Sequence, residues 1–283
     1  IHEIPLIVYC YLGGFCLTWG YIFDIMFLIN NVIKYLRELM KTYSKLIAEI
    51  TLNEELEKVT DQMGSNPGGR YQDNNTGEHY YIKYPENSEQ AKTEALAGKI
   101  QKLMGVNTLE PEHRVINGSS AVISKWVPNL SKLTHKNLDT LTPEQHHDIG
   151  RLYASSVLIK NWDSTGTGMN YGEGNIDIHK SGKIYGIDPG GSFEFRAQGG
   201  HKNYTPDIAE AHSLRDPDLN WESANVYNTI FKKTPEALTT GINAARNLKD
   251  EDVHAAFANS GLSNWQELHK TFNERKRLFL QNN

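Results

Sequence analysis

Hydrophobic positions are concentrated at the start of the chain. No charged residue occurs from Ile4 to Phe23, and apolar residues continue to Ile29. About 20 such residues are enough to span a bilayer as a helix. Four basic residues follow between positions 34 and 45, so by the positive-inside rule the rest of the chain would lie on the cytoplasmic side. We therefore expect an apolar helix that anchors the chain in a membrane through residues 4–29.

This apolar segment, residues 1–30, also fits two alternatives to a membrane anchor. It is either a buried helix or sequence upstream of a later start, such as Met26 or Met40. Apolar side chains recur at helical spacing from Val32 to Leu46. This pattern predicts that residues 31–60 form a helical linker.

The pattern then changes to that of strands. Glycine and proline at 64–69 break the helix, and alternating residues at 70–72 and 79–84 on either side of a turn predict a hairpin. A helix follows, with Asn87 as its N-cap and Gly105 at its end. Asn117-Gly118 predicts a second hairpin, and the strand-rich part runs from residue 61 to 128.

Helical patterns dominate from residue 129 to the end. Thr142-Pro143 with Gln145 predicts the start of a long helix. A hairpin turning at 180–182 comes next, and a Ser263/Gln266 capping box is predicted for the last helix. The further helices are predicted at about 205–215, 235–247, 250–260 and 264–281. A strand-rich half before a helix-rich half indicates the α+β class.

Composition narrows the functional classes. The formal net charge is −5 and the isoelectric point is near 6.1, which argues against a nucleic-acid-binding protein because such proteins usually carry a basic surplus. The two cysteines, Cys10 and Cys16, both lie in the apolar segment. A disulfide framework and a cysteine-ligated zinc site are therefore not expected.

A glycine-rich stretch and a strand lysine are the first candidates for chemistry. Glycine lets the backbone approach phosphates closely, although a simple turn is the commoner meaning of such a stretch. Lys83 lies in the second predicted strand, and Glu94 in the next helix could fix it by an ion pair. Alternatively, each is an exposed surface charge. The residues proposed to line this loop are Gly64, Ser65, Asn66, Gly68 and Gly69.

Two acids and an amide form the second group of candidates. Asp163 follows a long helix, where an acid has the wrong sign for a helix C-terminus. Asn175 precedes one short apolar strand, and Asp188 follows the next. Such a set can hold magnesium and position a hydroxyl for phosphoryl transfer, although an acid before Pro-Gly-Gly can also be a plain turn.

Several stretches resemble a family of atypical kinase domains in bacterial and phage proteins, distantly related to HipA-type and phosphoinositide 3/4-kinase-like folds. Some of these are fused to phage head-morphogenesis modules and some are secreted effectors. The last motif is the most specific. The stretches are Gly-Ser-Asn-Pro-Gly-Gly (64–69), Tyr-Tyr-Ile-Lys-Tyr-Pro (80–85), Gln-Ala-Lys-Thr-Glu-Ala-Leu-Ala-Gly-Lys (90–99), Ser-Lys-Trp-Val (124–127), Asn-Trp-Asp (161–163) and Ile-Asp-Pro-Gly-Gly-Ser-Phe-Glu-Phe-Arg-Ala-Gln-Gly-Gly (187–200).

The resemblance implies a two-lobed protein-kinase-like fold, with N-lobe 61–128 and C-lobe 129–283. It implies that the glycine loop covers ATP, that Lys83 contacts the phosphates and pairs with Glu94, and that Asp163 is the catalytic aspartate. It further implies Asn175 and Asp188 as Mg²⁺ ligands. The interlobe hinge would consist of Ser124, Lys125, Trp126 and Val127.

The expected function is a Mg²⁺-dependent kinase that transfers the ATP γ-phosphate to a hydroxyl, first of all on a protein Ser or Thr. A phosphoinositide or inositol phosphate acceptor is the first alternative. A catalytically dead, kinase-like binding module is the second. If residues 4–29 do not span a membrane, the chain would be cytoplasmic or a secreted effector.

Two features leave alternatives open. The segment 164–174 looks longer than in the family, and Asn170 competes with Asn175 as the metal ligand. Three basic residues after the Asp-Pro-Gly-Gly turn would contact substrate or phosphate, or would be surface charges. These residues are Arg196, His201 and Lys202.

Overall fold

A computed structural model of the chain describes residues 27–41, 56–62, 66–166, 169 and 174–283. The chain divides into two units, residues 1–54 and 55–283. In the first unit, residues 27–41 form helix α1. Most of the segment expected to span a membrane, residues 4–29, lies outside the described residues. Within the described ranges, no helix combines the length and apolar character that crossing a bilayer requires.

The second unit contains two β-sheets and most of the helices. The first sheet is antiparallel with the order β1-β2-β3-β6-β5, and the second has the order β4-β9-β8-β7 with β4 and β9 parallel. The strands are β1 (Leu56–Lys58), β2 (Gly68–Asp73), β3 (His79–Lys83), β4 (Asn107–Thr108), β5 (Glu112–Ile116), β6 (Ser119–Lys125), β7 (Leu130–Lys132), β8 (Ile176–His179) and β9 (Ile184–Gly186). The further helices are α2 (Ser88–Leu103), α3 (Pro143–Leu158), α4 (Glu210–Ser213), α5 (Trp221–Lys233), α6 (Glu236–Arg246), α7 (Asp250–Ala258) and α8 (Trp265–Gln281), with a 3₁₀ helix at His135–Thr140.

The predicted helical linker at residues 31–60 is wrong at its C-terminal end. Leu56 pairs with Asp73 in the antiparallel register of β1 and β2. The apolar positions at helical spacing end at Leu46, so residues 56–58 have no helical stripe to bury. Their backbone groups instead find partners on the edge of β2.

Both hairpins of the first sheet form as predicted. Asn117 and Gly118 have φ values of 51° and 74°, as a two-residue type I′ turn requires. The turn between β2 and β3 is closed by Asp73, whose Oδ1 accepts hydrogen bonds from the amides of Asn75 and Thr76, each at 2.9 Å. This turn fixes the register that pairs Lys83 with Gly68 of β2, and on its other side Lys83 lies opposite Val122 of β6.

Helix α2 packs on the first sheet. Its N-cap is Asn87, whose side chain accepts a hydrogen bond from the amide of Gln90 at 2.8 Å. Leu96 and Ile100 are buried. Gly98 allows a close approach to the residue before β5, since a Cβ there would lie 2.4 Å from the Pro111 ring. This packing brings the Glu94 side chain toward β3.

Helix α3 forms the centre of the helical half. The predicted capping box is present, with Thr142 accepting from the amide of Gln145 and the Gln145 side chain accepting from the amide of Thr142. Ile149, Leu152, Tyr153 and Val157 are buried in the core. After Leu158 the helix stops at Lys160, which has a φ of 56°. The chain then turns into Asn161-Trp162-Asp163.

Helices α3 and α6 cross at two glycines. A Cβ on Gly150 would lie 1.9 Å from the carbonyl oxygen of Ala237, and a Cβ on Gly241 would lie 2.2 Å from the carbonyl oxygen of Gly150. Because no real Cβ tolerates such distances, both positions require glycine for this crossing.

The helical predictions in the last third need three corrections. The helix predicted at 205–215 covers only Glu210–Ser213, and α5 was not predicted. Asn220 caps α5 by accepting from the amide of Ser223 at 3.1 Å. The Ser263/Gln266 capping box does not form, because α8 begins one residue later with Asn264 at the N-cap and no side-chain cap bond.

Candidate active site

The side chains of Lys83, Glu94 and Asp188 meet between the sheet, helix α2 and the loop after β9. Lys83 Nζ lies 2.7 Å from Glu94 Oε1 and 3.0 Å from Asp188 Oδ1. The lysine side chain is 10% exposed and that of Glu94 is 4% exposed, whereas that of Asp188 is 45% exposed. Strand β3, the helix α2 that follows it and the distant loop after β9 therefore place one cation between two carboxylates.

Burial and the mutual charges set the protonation states of this group. Burial opposes the charge of Lys83, but Asp188 and Glu94 outweigh it and raise the lysine pKa. Burial raises the pKa of Glu94 to about 7, and the Asp188 charge adds to this rise, while Lys83 opposes it. Although burial opposes the charge of Asp188 as well, Lys83 and the amide of Gly190 hold the pKa of Asp188 below its usual value. Lys83 and Asp188 are thus charged at neutral pH.

Asp188 is further positioned by the glycines that follow it. The amide of Gly190 donates to Asp188 Oδ1 at 2.9 Å. A Cβ on Gly190 would lie 2.9 Å from Asp188 Oδ1 and 3.1 Å from Glu94 Oε2. Glycine at this position therefore keeps space open beside both carboxylates.

The glycine loop is described only in part, since Gly64 and Ser65 lie outside the described residues. Gly68 and Gly69 begin β2, and a Cβ on Gly68 would lie 2.1 Å from the carbonyl oxygen of Ile82. Close strand packing is thus one reason for glycine there. The loop is tied to β3 by the amide of Tyr84, which donates to the carbonyl oxygen of Pro67 at 2.8 Å.

The predicted hinge consists of the last two residues of β6 and the two residues that follow the strand. The amide of Trp126 donates to the carbonyl oxygen of His79 at 2.8 Å, and the Arg70 guanidinium lies 5.2 Å from the centre of the indole. Lys125 pairs with Glu78 at the surface. Of the four residues proposed for the hinge, Ser124 lines a cleft beside the Lys83 group.

This cleft is small, with a cavity volume of about 70 Å³, and it opens to solvent. The cleft combines charged groups at one end with apolar side chains from the sheet and from the loop before Asp188. Its lining residues are Asn66, Tyr81, Lys83, Glu94, Leu109, Val122, Ser124, Ile187 and Asp188.

Asp163 and Asn175 lie close to Asp188. The amide of Asp163 donates to Asn161 Oδ1 at 3.1 Å, and Asn175 Nδ2 donates to the carbonyl oxygen of Asp163 at 2.9 Å. Burial raises the pKa of Asp163 to about 6, and the nearby Asp188 charge contributes to the rise. The competing ligand candidate Asn170 lies outside the described residues.

The donor set suits a magnesium ion. Among the described residues there is no group of three or more His, Cys, Asp or Glu side chains that could hold a metal. Magnesium does not need one, because it keeps several waters and commonly uses one or two carboxylates plus substrate phosphates. Asp188 is half exposed and Asn175 has its amide nitrogen engaged, so oxygen atoms of both residues suit this hard cation.

Of the three basic residues after the Asp-Pro-Gly-Gly turn, Lys202 points inward. Its Nζ donates to the carbonyl oxygens of Lys160 and Gly191, each at 2.6 Å. Arg196 and His201 are exposed, and the His201 ring lies 4.6 Å from that of Phe195. Lys202 is therefore bonded to the backbone and is not the free surface charge that one of the two expectations describes. The two carbonyl acceptors lie 42 and 11 residues before Lys202, and no local sequence pattern predicts such bonds.

Comparisons with known proteins agree with this geometry at the level of the fold. No protein-family model and no curated protein matches the chain. Among solved structures, the chain is similar to a proinflammatory kinase of Helicobacter pylori, CtkA, with a TM-score of 0.52 and 14% sequence identity. The match covers 80% of this chain and 95% of that chain. The α+β, kinase-like fold predicted from the sequence is therefore confirmed.

Proposed function

We propose that this protein is a Mg²⁺-dependent kinase that transfers the γ-phosphate of ATP to a hydroxyl group. We also propose that it is a distant relative of the HipA-like and phosphoinositide 3/4-kinase-like enzymes, as the sequence motifs suggest. The observation that carries the proposal is the contact of Lys83 with both Glu94 and Asp188 at the end of an open cleft. The kinase-like fold supports it independently.

Lys83 is suited to bind the α- and β-phosphates. A cation in the active site offsets the phosphate charge, and electrostatic stabilisation of this kind dominates phosphoryl transfer. Lys83 keeps its charge because neighbouring carboxylates raise its pKa. Glu94, almost fully buried, holds the lysine in place from α2.

Asp163 is suited to orient the acceptor hydroxyl. Its pKa of about 6 leaves it mostly ionised at neutral pH, yet more basic than an ordinary aspartate, which helps it to accept a proton. Asp188 and Asn175 would hold the magnesium ion. When bound there, the ion would supply positive charge that offsets the charge of the phosphates.

A protein Ser or Thr is the proposed acceptor, with phosphoinositide phosphorylation and pure nucleotide binding as the competing outcomes. The test incubates the full chain with γ-labelled ATP and Mg²⁺, in parallel with a generic protein acceptor, with phosphatidylinositol-containing vesicles and with no acceptor. The Asp188→Ala variant serves as the inactive control.

Label on protein that depends on Asp188 supports the full proposal. Label on lipid retains the kinase and replaces its acceptor. If nucleotide binds and no label is transferred to any acceptor or to the chain itself, the protein is a binding module and the transferase proposal fails. Equal labelling by wild type and Asp188→Ala rules out the assigned site.

A further inference from the structure

Two loops must hold their positions for the proposed chemistry, and they approach each other behind the cleft. One, residues 160–163, leads from the end of α3 to Asp163. The other, residues 188–191, contains Asp188 and its glycines. We call them the aspartate loop and the metal loop. The backbone amide of Phe193 already joins their bases by donating to the carbonyl oxygen of Ile159 at 2.7 Å.

Lys202 lies between these loops and bonds to both. Its Nζ donates to the carbonyl oxygen of Lys160 in the aspartate loop and to that of Gly191 in the metal loop, each at 2.6 Å. Its own amide donates to the carbonyl oxygen of Glu194 at 2.8 Å, which fixes the lysine backbone relative to the metal loop. A single ammonium group thus sets the spacing of the two loops.

The carbonyl oxygens that Lys202 binds belong to constrained positions. Lys160 has a φ of 56°, which is rare for a residue other than glycine, asparagine or aspartate. Gly191 has little room for a side chain, since a Cβ there would lie 3.3 Å from Asn161 Oδ1 and from the amide of Ala197. Asn161 Oδ1 also accepts a hydrogen bond from the backbone amide of Asp163. Gly191 therefore lies beside the side chain that holds the backbone of Asp163.

The charged ammonium group of Lys202 lies in a partly buried environment. Burial lowers the pKa of Lys202 to about 8; Glu210 opposes this shift, and Lys160, Arg275 and Arg196 add to it. Lys202 also favours the ionised form of Asp163. Burying an ammonium group near three other cations destabilises its charged form. Such a cost is not expected at a residue that has no positioning role.

We propose that Lys202 is a positioning residue that joins the aspartate loop to the metal loop and so sets Asp163 at its working distance from Asp188. This inference rests on the proposed kinase function for its kinetic consequence, while its structural consequence is independent of activity. Lys202 is not among the residues that line the cleft. Its replacement should therefore leave the contacts of Lys83 with Glu94 and Asp188 in place.

The test compares the full-length wild type with Lys202→Met, Lys202→Arg and the control Lys276→Met. Lys276 is a matched control because its Nζ also donates to a backbone carbonyl, that of Leu248 at 2.9 Å, and its side chain is 15% exposed. It lies in α8, outside the loops and the cleft. Backbone amide exchange is measured first, since it needs folded protein but no activity.

In Lys202→Met, the amides of Asp163 and Gly190 should exchange at least several-fold faster than in the wild type, while those of β3 and β6 stay unchanged. Lys202→Arg, which keeps donors for both carbonyl oxygens, should restore slow exchange at least in part. Lys276→Met should match the wild type at all four places. Unchanged exchange at Asp163 and Gly190 in Lys202→Met would overturn the proposal whether or not the protein is a kinase.

Where the wild type transfers phosphate, Lys202→Met should lower kcat with little change in the KM for ATP. Misplacement of a reacting group by about 1 Å lowers rates by about 100-fold, and a loss of this order is expected. An unchanged kcat, or an equal loss in Lys276→Met, contradicts a positioning role. If no preparation transfers phosphate, the proposed function fails, and the exchange measurement still decides the role of Lys202.

Discussion

Arg275 offers a test of how the helical half holds the end of α3 in place. None of its surface is exposed. Its guanidinium stacks 5.3 Å from the centre of the Tyr204 ring. The acceptors of its N–H groups are the carbonyl oxygens of Val157, Leu158, Thr205 and Asp207 and the carboxylate of Glu210.

Replacing Arg275 by methionine keeps much of the volume and removes every one of these bonds. Glu210, which is 6% exposed, then loses the partner that lies 2.5 Å away. Breaking a buried ion pair from one side costs about 3–5 kcal/mol. Because the free energy of unfolding of an ordinary domain is about 5–15 kcal/mol, the variant should lose a large part of its stability.

The assay is thermal and urea unfolding followed by circular dichroism. Each kcal/mol shifts Tm by about 2–4 °C in a domain of 150–250 residues, so a decrease of about 10 °C is expected for Arg275→Met. The exposed Arg277, paired with Glu274, is the matched control. Its methionine variant should stay within about 0.5 kcal/mol of the wild type.

A double variant separates the lost ion pair from the other effects. Arg275→Met with Glu210→Leu leaves no buried charge from this pair, so it should be more stable than Arg275→Met alone. The reasoning is refuted if the single variant unfolds within about 1 kcal/mol of the wild type. It is refuted as well if the second substitution brings no recovery.

Three further predictions address packing, proton binding and nucleotide contact. Gly150→Ala should strongly destabilise the fold, because its Cβ would lie 1.9 Å from the carbonyl oxygen of Ala237. If the variant unfolds at the same urea concentration as the wild type, the close crossing of α3 and α6 is contradicted. The rate of phosphate transfer should rise as the pH increases through about 6, where Asp163 ionises. The pKa of Asp163 in the folded protein lies above its unfolded value, so ionisation of Asp163 costs stability as the pH rises. The stability of Asp163→Asn relative to wild type should therefore be greater at pH 8 than at pH 4. Equal stability differences at the two pH values would argue against the raised pKa. Lys83→Met should weaken ATP binding measured by calorimetry. Lys92 of α2, which pairs with Glu89, is the control, and Lys92→Met should leave ATP binding unchanged. Equal effects of the two substitutions would show that Lys83 is not part of the nucleotide site.

Local signals predicted much of the fold. Asn117-Gly118 determines its turn through the positive φ that both residues adopt, and Thr142 with Gln145 determines the start of α3 through bonds within four residues. Such features depend on neighbours in sequence, so the sequence suffices to predict them. Helix α5 had a comparable signal, since Asn220 precedes apolar residues at helical spacing, and it could have been predicted.

Features that depend on partners distant in sequence could not be predicted from local sequence patterns. Strand β1 exists because β2 offers an open edge, and β4 pairs in parallel with β9 although a long stretch of chain separates them. For the candidate site, the residue types could be selected from their chemistry. That Lys83 and Asp188, which are 105 residues apart, belong to one site follows from the resemblance to kinases and not from any spacing, and their direct contact was not predicted.

The central claim is that Asp188, with Lys83 beside it, forms a site for ATP and magnesium. Its most direct test is calorimetric titration of the full chain with ATP, in Mg²⁺ and in EDTA, for the wild type and Asp188→Ala. The account predicts that Mg²⁺ tightens ATP binding to the wild type and that this gain is lost in Asp188→Ala. Absence of ATP binding by the folded wild type, or an equal Mg²⁺ effect in both proteins, would contradict it.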